Sequence, residues 1–499
     1  MKAMKRVLCG ALAVLLLCGT VSVHAAPSGE QDFALLLAQD RLALREADFE
    51  IHIPAGVITQ EYERYRAAMA ALGLEAPAEP EADILTDGAV IDAAQLYRSA
   101  RYISFSPDGR RLFVVLGDLP VFYDFDTRDL RIIVPVEGIS AAFYTDYAAR
   151  TLTQPEDQGV LWSPDGRHIA FTSPRQVLMM MRLAVNILLV DTRAGTVDKV
   201  FQALPDHVKL TDGYTNGYPF RVGFSPDGST LYYELLYVST LGLRRNEIRA
   251  YQLETGQTEV VSFFTSESTT MDAALWPVAG GLLESIAHMR ASGERGLAIR
   301  GLGQADRLIV RNPSDPLEAG MSHRVAGVVG GRGLLYTSWG GTMMRPLFQL
   351  FSLDSLSPDI FRRALAVRLQ AEPAQRLVDL DLSLLNADGQ GGFDADALAG
   401  LDLPANAALS PDGQYMLLLI GGPEHEQPRL YMYDFSAQVL GAVDLSRLDR
   451  QGDDFMGFFE GTMSTASRGL RWLADNRLLI TIGGQHRLYE WGSKDSAGL

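Results

Sequence analysis

The chain has 499 residues, with 61 Asp and Glu against 44 Lys and Arg and a formal net charge of −17. That balance argues against nucleic acid and against acidic lipid headgroups as partners. The two cysteines, Cys9 and Cys18, both lie in the first apolar stretch. If that stretch is removed, no disulfide, thiolate metal ligand or Cys nucleophile remains.

The N-terminus reads as an export signal over residues 1–25. Lys2, Lys5 and Arg6 precede an apolar run from Val7 to Val23, and Val23-His24-Ala25 is a small-residue cleavage site. Losing those three cations takes the charge to −20. The run is short for a membrane span. Cys18 could be a lipidation site, but the bulky Leu15-Leu16-Leu17 before it counts against that. A periplasmic or extracellular destination follows, and no later stretch is long and apolar enough to cross a bilayer.

Residues 26–82 read as a small helical or α/β cap and linker. Phe33, Leu36, Leu37, Leu42 and Leu44 have helical spacing within Gln31 to Phe49. Phe49 to Pro54 suggests a strand. A second helix is expected from a Thr59 cap to Gly73, followed by a stiff acidic linker, Ala76 to Glu81.

From residue 83 to 492 one turn recurs: Ser106-Pro107-Asp108-Gly109, Ser163-Pro164-Asp165-Gly166, Ser225-Pro226-Asp227-Gly228 and Ser410-Pro411-Asp412-Gly413. Ser suits position i, Pro pre-sets φ at i+1, Asp tolerates i+2 and Gly supplies a positive φ at the exit. β-branched and aromatic runs flank each turn, such as Tyr102-Ile103-Ser104-Phe105 before and Arg111 to Val115 after. Third and fourth runs follow, as in Ile248 to Tyr251 and Thr258 to Val261. Four short antiparallel strands per unit make a propeller blade, so the chain is expected to be an all-β propeller.

Degenerate copies are expected at Ala273 to Trp276 with a turn over Pro277 to Gly281, at Val325 to Thr337, and at Leu470 to Thr481 ending in Arg487 to Trp491. That gives seven blades, with six as the rival count. The last blade lacks its outer strand, which Val90-Ile91 or Gln95-Leu96-Tyr97 could supply; residues 493–499 form a tail. These strand–Ser-Pro-Asp-Gly–strand units resemble the WD40-like repeats of the TolB family and of the propeller halves of prolyl-oligopeptidase-type peptidases. The resemblance implies the fold, and for TolB-like proteins it implies a protein-binding role.

No G-x-S-x-G elbow, H-E-x-x-H or P-loop occurs, so the chain is expected not to be an enzyme and to need no cofactor. Asn386 to Asp396 is similar to a calcium loop, but its first ligand position falls on Leu384, which cannot ligate. No metal site is expected.

In a propeller the Ser-Pro-Asp-Gly turns lie on one face, and the loops between second and third strands lie on the other with the connectors between blades. The length concentrates on that second face. Its inner loops are Ser173–Met181, Leu236–Arg245, Ser338–Pro346 and Gly421–Pro428. Its connectors include Gly138–Gln158 and Ala366–Asn406. Candidate binding residues there are Tyr144, Tyr147, Met179, Met180, Met181, Tyr214, Tyr218, Trp339, Met343, Met344 and Phe455, since Met and aromatics make adaptable contact surfaces. Burial as satellite core is the competing reading for each. The expected function is non-catalytic binding of a protein or peptide partner by a monomer. The alternative is a propeller hydrolase or lactonase with carboxylates or a metal at the central channel.

Overall fold

A computed structural model describes residues 42–76, 85–153, 159–178, 181–202, 217–238, 244–266, 275–278, 281–286, 296–301, 307–311, 321–329, 332–339, 347–352, 375–381, 407–410, 412–420, 429–435, 439–443, 470–473, 477–482 and 485–493. The described chain opens with β1 (Leu42–Glu46), β2 (Glu50–His52), α1 (Val57–Ala71), β3 (Val90–Asp92) and α2 (Ala93–Ser99). Sheet 1 follows as β4 (Ala100–Phe105), β5 (Arg111–Leu116), β6 (Leu119–Asp124) and β7 (Leu130–Ile132). After β8 (Val134–Pro135) come α3 (Ala141–Phe143), a π-helical turn (Tyr144–Ala148) and α4 (Ala149–Thr153).

Sheet 2 contains β9 (Gly159–Trp162), β10 (His168–Leu178), β11 (Met181–Asp191) and β12 (Thr196–Gln202), with β8 added in parallel to β12. Sheet 3 contains β13 (Tyr218–Phe224), β14 (Thr230–Val238), β15 (Arg244–Gln252) and β16 (Thr258–Ser266). Sheet 4 contains β17 (Trp276–Val278), β18 (Gly281–Ile286), β19 (Gly296–Gly301) and β20 (Arg307–Arg311). Sheet 5 contains β21 (Met321–Val329), β22 (Arg332–Trp339), β23 (Leu347–Ser352) and β24 (Gln375–Asp381). Sheet 6 contains β25 (Ala407–Leu409), β26 (Tyr415–Ile420), β27 (Arg429–Asp434) and β28 (Val439–Val443). Sheet 7 contains β29 (Leu470–Trp472), β30 (Arg477–Ile482), β31 (Gln485–Ser493) and, as its outer strand, β1.

Within each of the seven sheets the consecutive strands pair antiparallel in chain order, with β8 of sheet 2 and β1 of sheet 7 added at the outer edge, and each sheet packs on the next, ending with β31 of sheet 7 against β4 of sheet 1. The molecule is a β-propeller.

The repeated turn builds itself from its own four residues. In every copy the Ser hydroxyl donates to the Asp Oδ1 two residues on, at 2.6 Å for Ser163–Asp165 and 2.5 Å for Ser225–Asp227 and Ser410–Asp412. The same hydroxyl accepts from the backbone N–H five residues later, at Arg111, His168, Thr230 and Tyr415. The Gly N–H then closes onto the Ser carbonyl, with φ between 65° and 72° at Gly109, Gly166, Gly228 and Gly413, a region only Gly occupies without strain.

Neighbouring sheets are tied at these turns. Arg111 of sheet 1 donates to the Asp165 carbonyl of the sheet 2 turn at 2.7 Å. Arg477, which holds the same place in sheet 7, donates to the Asp108 and Gly109 carbonyls of the sheet 1 turn at 3.1 and 3.3 Å. Deeper in, Trp162 Nε1 of β9 donates to Ser104 Oγ of β4 at 2.9 Å, fully buried.

The N-terminal segment departs from expectation. Leu42–Glu46 is a strand, not the end of a helix, because its partner β31 lies almost the whole chain away in sequence. It fills the outer position of sheet 7 that Val90-Ile91 or Gln95-Tyr97 were expected to take. Val90–Asp92 pairs with β2 instead, and Gln95 to Tyr97 lie in α2, which Asp92 caps through a reciprocal bond with Gln95. Phe49 then wedges edge-on against Tyr97, Phe105 and Phe125 at 5.9, 5.5 and 5.7 Å.

The expected second helix exists, but begins two residues before Thr59. Its N-cap is Gly56, and Asp87 supplies the missing acceptor, taking the Ile58 N–H and the Thr59 hydroxyl at 2.8 Å each. Gly73 ends it at φ 72°. Ile58, Tyr62, Tyr65 and Met69 form its buried stripe, continuous with the core of sheets 1, 2 and 7. Most of the expected linker, residues 77–81, lies outside the described residues.

Other differences are smaller. Pro277 and Val278 continue β17 rather than turning. β24 forms inside the expected connector Ala366–Asn406. The calcium-like stretch Asn386 to Asp396 lies outside the described residues.

Candidate functional site

The two ends of the sheets differ in construction. At one end sit the Ser-Pro-Asp-Gly turns and the short turns between third and fourth strands, bonded to one another: Phe125 N–H to the Arg110 carbonyl and Thr192 N–H to the Arg167 carbonyl, both at 2.9 Å. This end is compact.

At the other end the second and third strands of sheets 2 and 3 run far out. In sheet 1 the pairing goes five steps, from Arg111↔Asp124 to Leu116↔Leu119. In sheet 2 it goes ten, from His168↔Asp191 to Leu178↔Met181. In sheet 3 it goes eight, from Thr230↔Gln252 to Val238↔Arg244. At about 3.4 Å per residue the sheet 2 ribbon stands roughly 17 Å beyond the sheet 1 hairpin. Ser173 to Leu178 was expected to be loop. It is strand because cross-strand pairing outweighs the local loop signal of Ser173-Pro174.

The predicted site residues fall into three groups. Tyr144 and Tyr218 are interior, at 2% and 5% exposure. Tyr144 hydrogen-bonds Tyr65 of α1, and burial pushes its phenol far above the usual tyrosine range. Tyr218 opens β13 opposite Leu236. Tyr147 is half-buried, its ring 5.7 Å from Phe143. These three therefore serve packing under the connector helices and along an inner strand. Met181 and Trp339 end the paired strands β11 and β22 at the long-loop end. Met179, Met180, Tyr214, Met343, Met344 and Phe455 lie outside the described residues.

The charged residues that pack deepest escaped the sequence reading. Arg221 Nε of β13 donates to Glu234 Oε2 of β14 at 2.5 Å, with both side chains essentially unexposed. Asn246 of β15 donates its amide to the other Glu234 oxygen. Beside them, Glu247 accepts from Arg249 and from the Tyr237 hydroxyl, the latter at 3.3 Å. The only signal was an Arg inside the apolar run Tyr218 to Phe224. On α1, buried Glu61 takes Arg64 Nη2 at 2.7 Å, Arg131 Nη1 at 2.8 Å and the Ile132 N–H at 3.0 Å. These groups join elements; no three His, Cys, Asp or Glu side chains converge as a metal site among the described residues.

The turn end carries part of the pH response. The Ser225 hydroxyl, with the Ser229 N–H and hydroxyl, holds the Asp227 carboxyl below its ordinary 3.8. Burial pushes Asp165 up, but the Ser163 hydroxyl, the Arg167 N–H and the nearby His168 and Arg167 outweigh it, and it too is lowered. Burial pushes His168 below 6.5 against the pull of Asp191 and Asp165. In both cases the unfolded chain binds protons more readily than the folded one. Stability therefore falls first as pH drops below 6.5, and again below 3.8 through the lowered carboxyl values. Urea midpoints measured from pH 7.5 to 3 are expected to show both limbs. His168→Phe should flatten the upper one, and Asp227→Asn should weaken the lower one.

No family model and no curated protein matches the chain. Among solved structures it is similar to an oligogalacturonate lyase in complex with manganese (12% identity, TM-score 0.46, 79% of this chain and 88% of that one). It is similar also to the β-propeller domain of the Trilobed protease from Pyrococcus furiosus (12%, 0.37, 80% and 96%). TolB from Acinetobacter baumannii, of the family whose repeats the Ser-Pro-Asp-Gly units resemble, is a third (14%, 0.31, 91% and 96%). The propeller class itself rests on the order and packing of the sheets.

Proposed function

We propose that this chain is an exported, non-catalytic propeller that binds a protein or peptide partner through its long-loop end, at the cell envelope or outside the cell, as a monomer. In this reading residues 1–25 are the removed leader. The observation that carries it is the asymmetry between the ends: compact, mutually bonded turns on one, and ribbons projecting from a rigid scaffold on the other. Rigid sheets with long extensions on one side are the usual way a scaffold presents a recognition surface. No helix among the described residues is long and apolar enough to cross a membrane.

A pull-down from envelope extract with the chain from Ala26 onward tests this, run beside the Trp339→Ala, Met343→Ala, Met344→Ala triple variant. A discrete partner retained by the first and lost by the second is the expected result. Equal retention by both, or turnover of a substrate in a hydrolase panel without any partner, contradicts it.

A further inference from the structure

At two seams of the ring an arginine spans neighbouring sheets at the turn end. Arg111 Nε donates to Asp124 of its own sheet at 3.0 Å, and its Nη1 donates to the Asp165 carbonyl of the sheet 2 turn at 2.7 Å. Arg477, opposite Glu490 on β31, reaches the Asp108 and Gly109 carbonyls of the sheet 1 turn. Each guanidinium backs the glycine of the turn it ties. A Cβ added at Gly109 would stand 2.7 Å from Arg477 Nη2, and one at Gly166 would stand 2.8 Å from Arg111 Nη1.

The seam between sheets 2 and 3 is built otherwise. His168, opposite Asp191 on β11, takes the place of Arg111 and Arg477. Strand alternation turns it toward sheet 3, since Ile169 and Phe171 belong to the core shared with sheet 1 and Ala170 to the core shared with sheet 3. An imidazole is too short to bond its own sheet's carboxylate and the next turn together. Its Nδ1 is buried without a hydrogen-bond partner. What backs Gly228 of the sheet 3 turn is Asp165 Oδ1, 3.3 Å from where a Cβ would stand. The other charged and titratable groups on this side are Arg167 of the same turn, Asp191, Asp198 of β12, Asp227 of the facing turn, and Tyr251 of β15. Asp191 is already engaged by the Arg193 and Ala194 N–H groups at 2.8 and 3.0 Å. Burial raises the Tyr251 phenol, so it stays neutral.

We infer that the seam between sheets 2 and 3 is an acid-operated opening in the ring, closed while His168 is neutral and released when it is protonated. Protonation puts a charge into the closed seam and leaves a buried Nδ1–H with no acceptor. The other two seams carry no such cost, because their cation is permanent and already bonded. The sign follows from linkage. Burial outweighs the pull of Asp191 and Asp165 and holds the closed imidazole below 6.5, whereas an open seam returns it toward that value. Closure is therefore fully present above 6.5 and lost as pH falls below it.

The experiment measures distances between paired spin labels at pH 7.5 and 5.5. The chain from Ala26 has no cysteine, so introduced pairs are unique. Arg193→Cys with Glu254→Cys spans the seam between sheets 2 and 3, and Thr127→Cys with Arg193→Cys spans the seam between sheets 1 and 2; all three positions are exposed. Circular dichroism at both pH values checks that the chain stays folded. At pH 5.5 the first pair is expected to gain a longer-distance population, its ratio to the closed form rising several-fold, with about tenfold as the ceiling for a group that titrates at 6.5 when open. The second pair should not change. His168→Phe, which keeps the burial and removes the proton, and His168→Arg, which supplies the guanidinium of the other seams, should each abolish the response. An unchanged first pair, equal lengthening of both pairs, or a response that persists in both His168 variants overturns the inference.

Discussion

Replacing Glu61 with Ala is expected to destabilise the protein by about 3 kcal/mol, the cost of removing one partner from a buried ionic cluster, reduced here because both arginines are partly exposed. Glu61 is 2% exposed and satisfies Arg64, Arg131 and the Ile132 N–H at once. Arg64 in turn reaches the Ala194 and Gly195 carbonyls of sheet 2 at 3.4 and 3.3 Å. One carboxylate thereby fastens α1 to two sheets. Glu61→Gln keeps an acceptor for Ile132 and should cost less than half as much. Urea unfolding of the three proteins, with near-ultraviolet dichroism to follow the Tyr62–Tyr65 stack, reads both effects. If Ala and Gln prove equal, the part played by the acceptor to the Ile132 N–H in docking α1 is refuted.

The second large effect is expected at Arg221. Arg221→Ala strands Glu234 inside the sheet 3 region, where the Asn246 amide is its remaining side-chain partner among the described residues, and should cost about 3–5 kcal/mol. Replacing both charges, Arg221→Met with Glu234→Leu, should recover most of that loss, because the pair and its hydration are removed together. A double-mutant cycle in urea measures the coupling directly. Small, additive effects would mean that the ion pair does not form as described. This cluster specifies the fit between strands rather than chemistry, and so belongs to the scaffold that carries the ribbons.

These residues also mark how far the sequence could be read. The Ser-Pro-Asp-Gly units were legible because every bond that makes the turn is local: Ser225, Asp227 and Gly228 bond one another within a few residues. The strand runs beside them followed from β-branched and aromatic content. β1 was misread because Leu42 and Leu44, whose spacing of two suits a strand, follow directly on the helically spaced Phe33, Leu36 and Leu37. The decision was made by β31, which composition near Leu42 cannot reveal. The ribbon end at Leu178 was missed for a similar reason, since its partner strand, not its own residues, holds it extended.

At the long-loop end the same limit applied to single residues. Tyr144 read as a loop aromatic because the helix that covers it, with Tyr65, comes about 80 residues earlier. Tyr218 read as a connector residue but begins an inner strand. The long-loop end itself is defined by where second and third strands join, and Met181 and Trp339 lie at that end.

The most direct test of a binding end opposite a closed end is site-specific photo-crosslinking in the producing cell. A photoreactive residue is placed in turn at Met181 and Trp339, at the strand ends of the long-loop side, and at Arg110 and Arg167, exposed at the turn side. A discrete protein adduct from the first two positions and none from the second two is the result predicted. Adducts from the turn side alone, or none from any position in folded protein, would contradict the account.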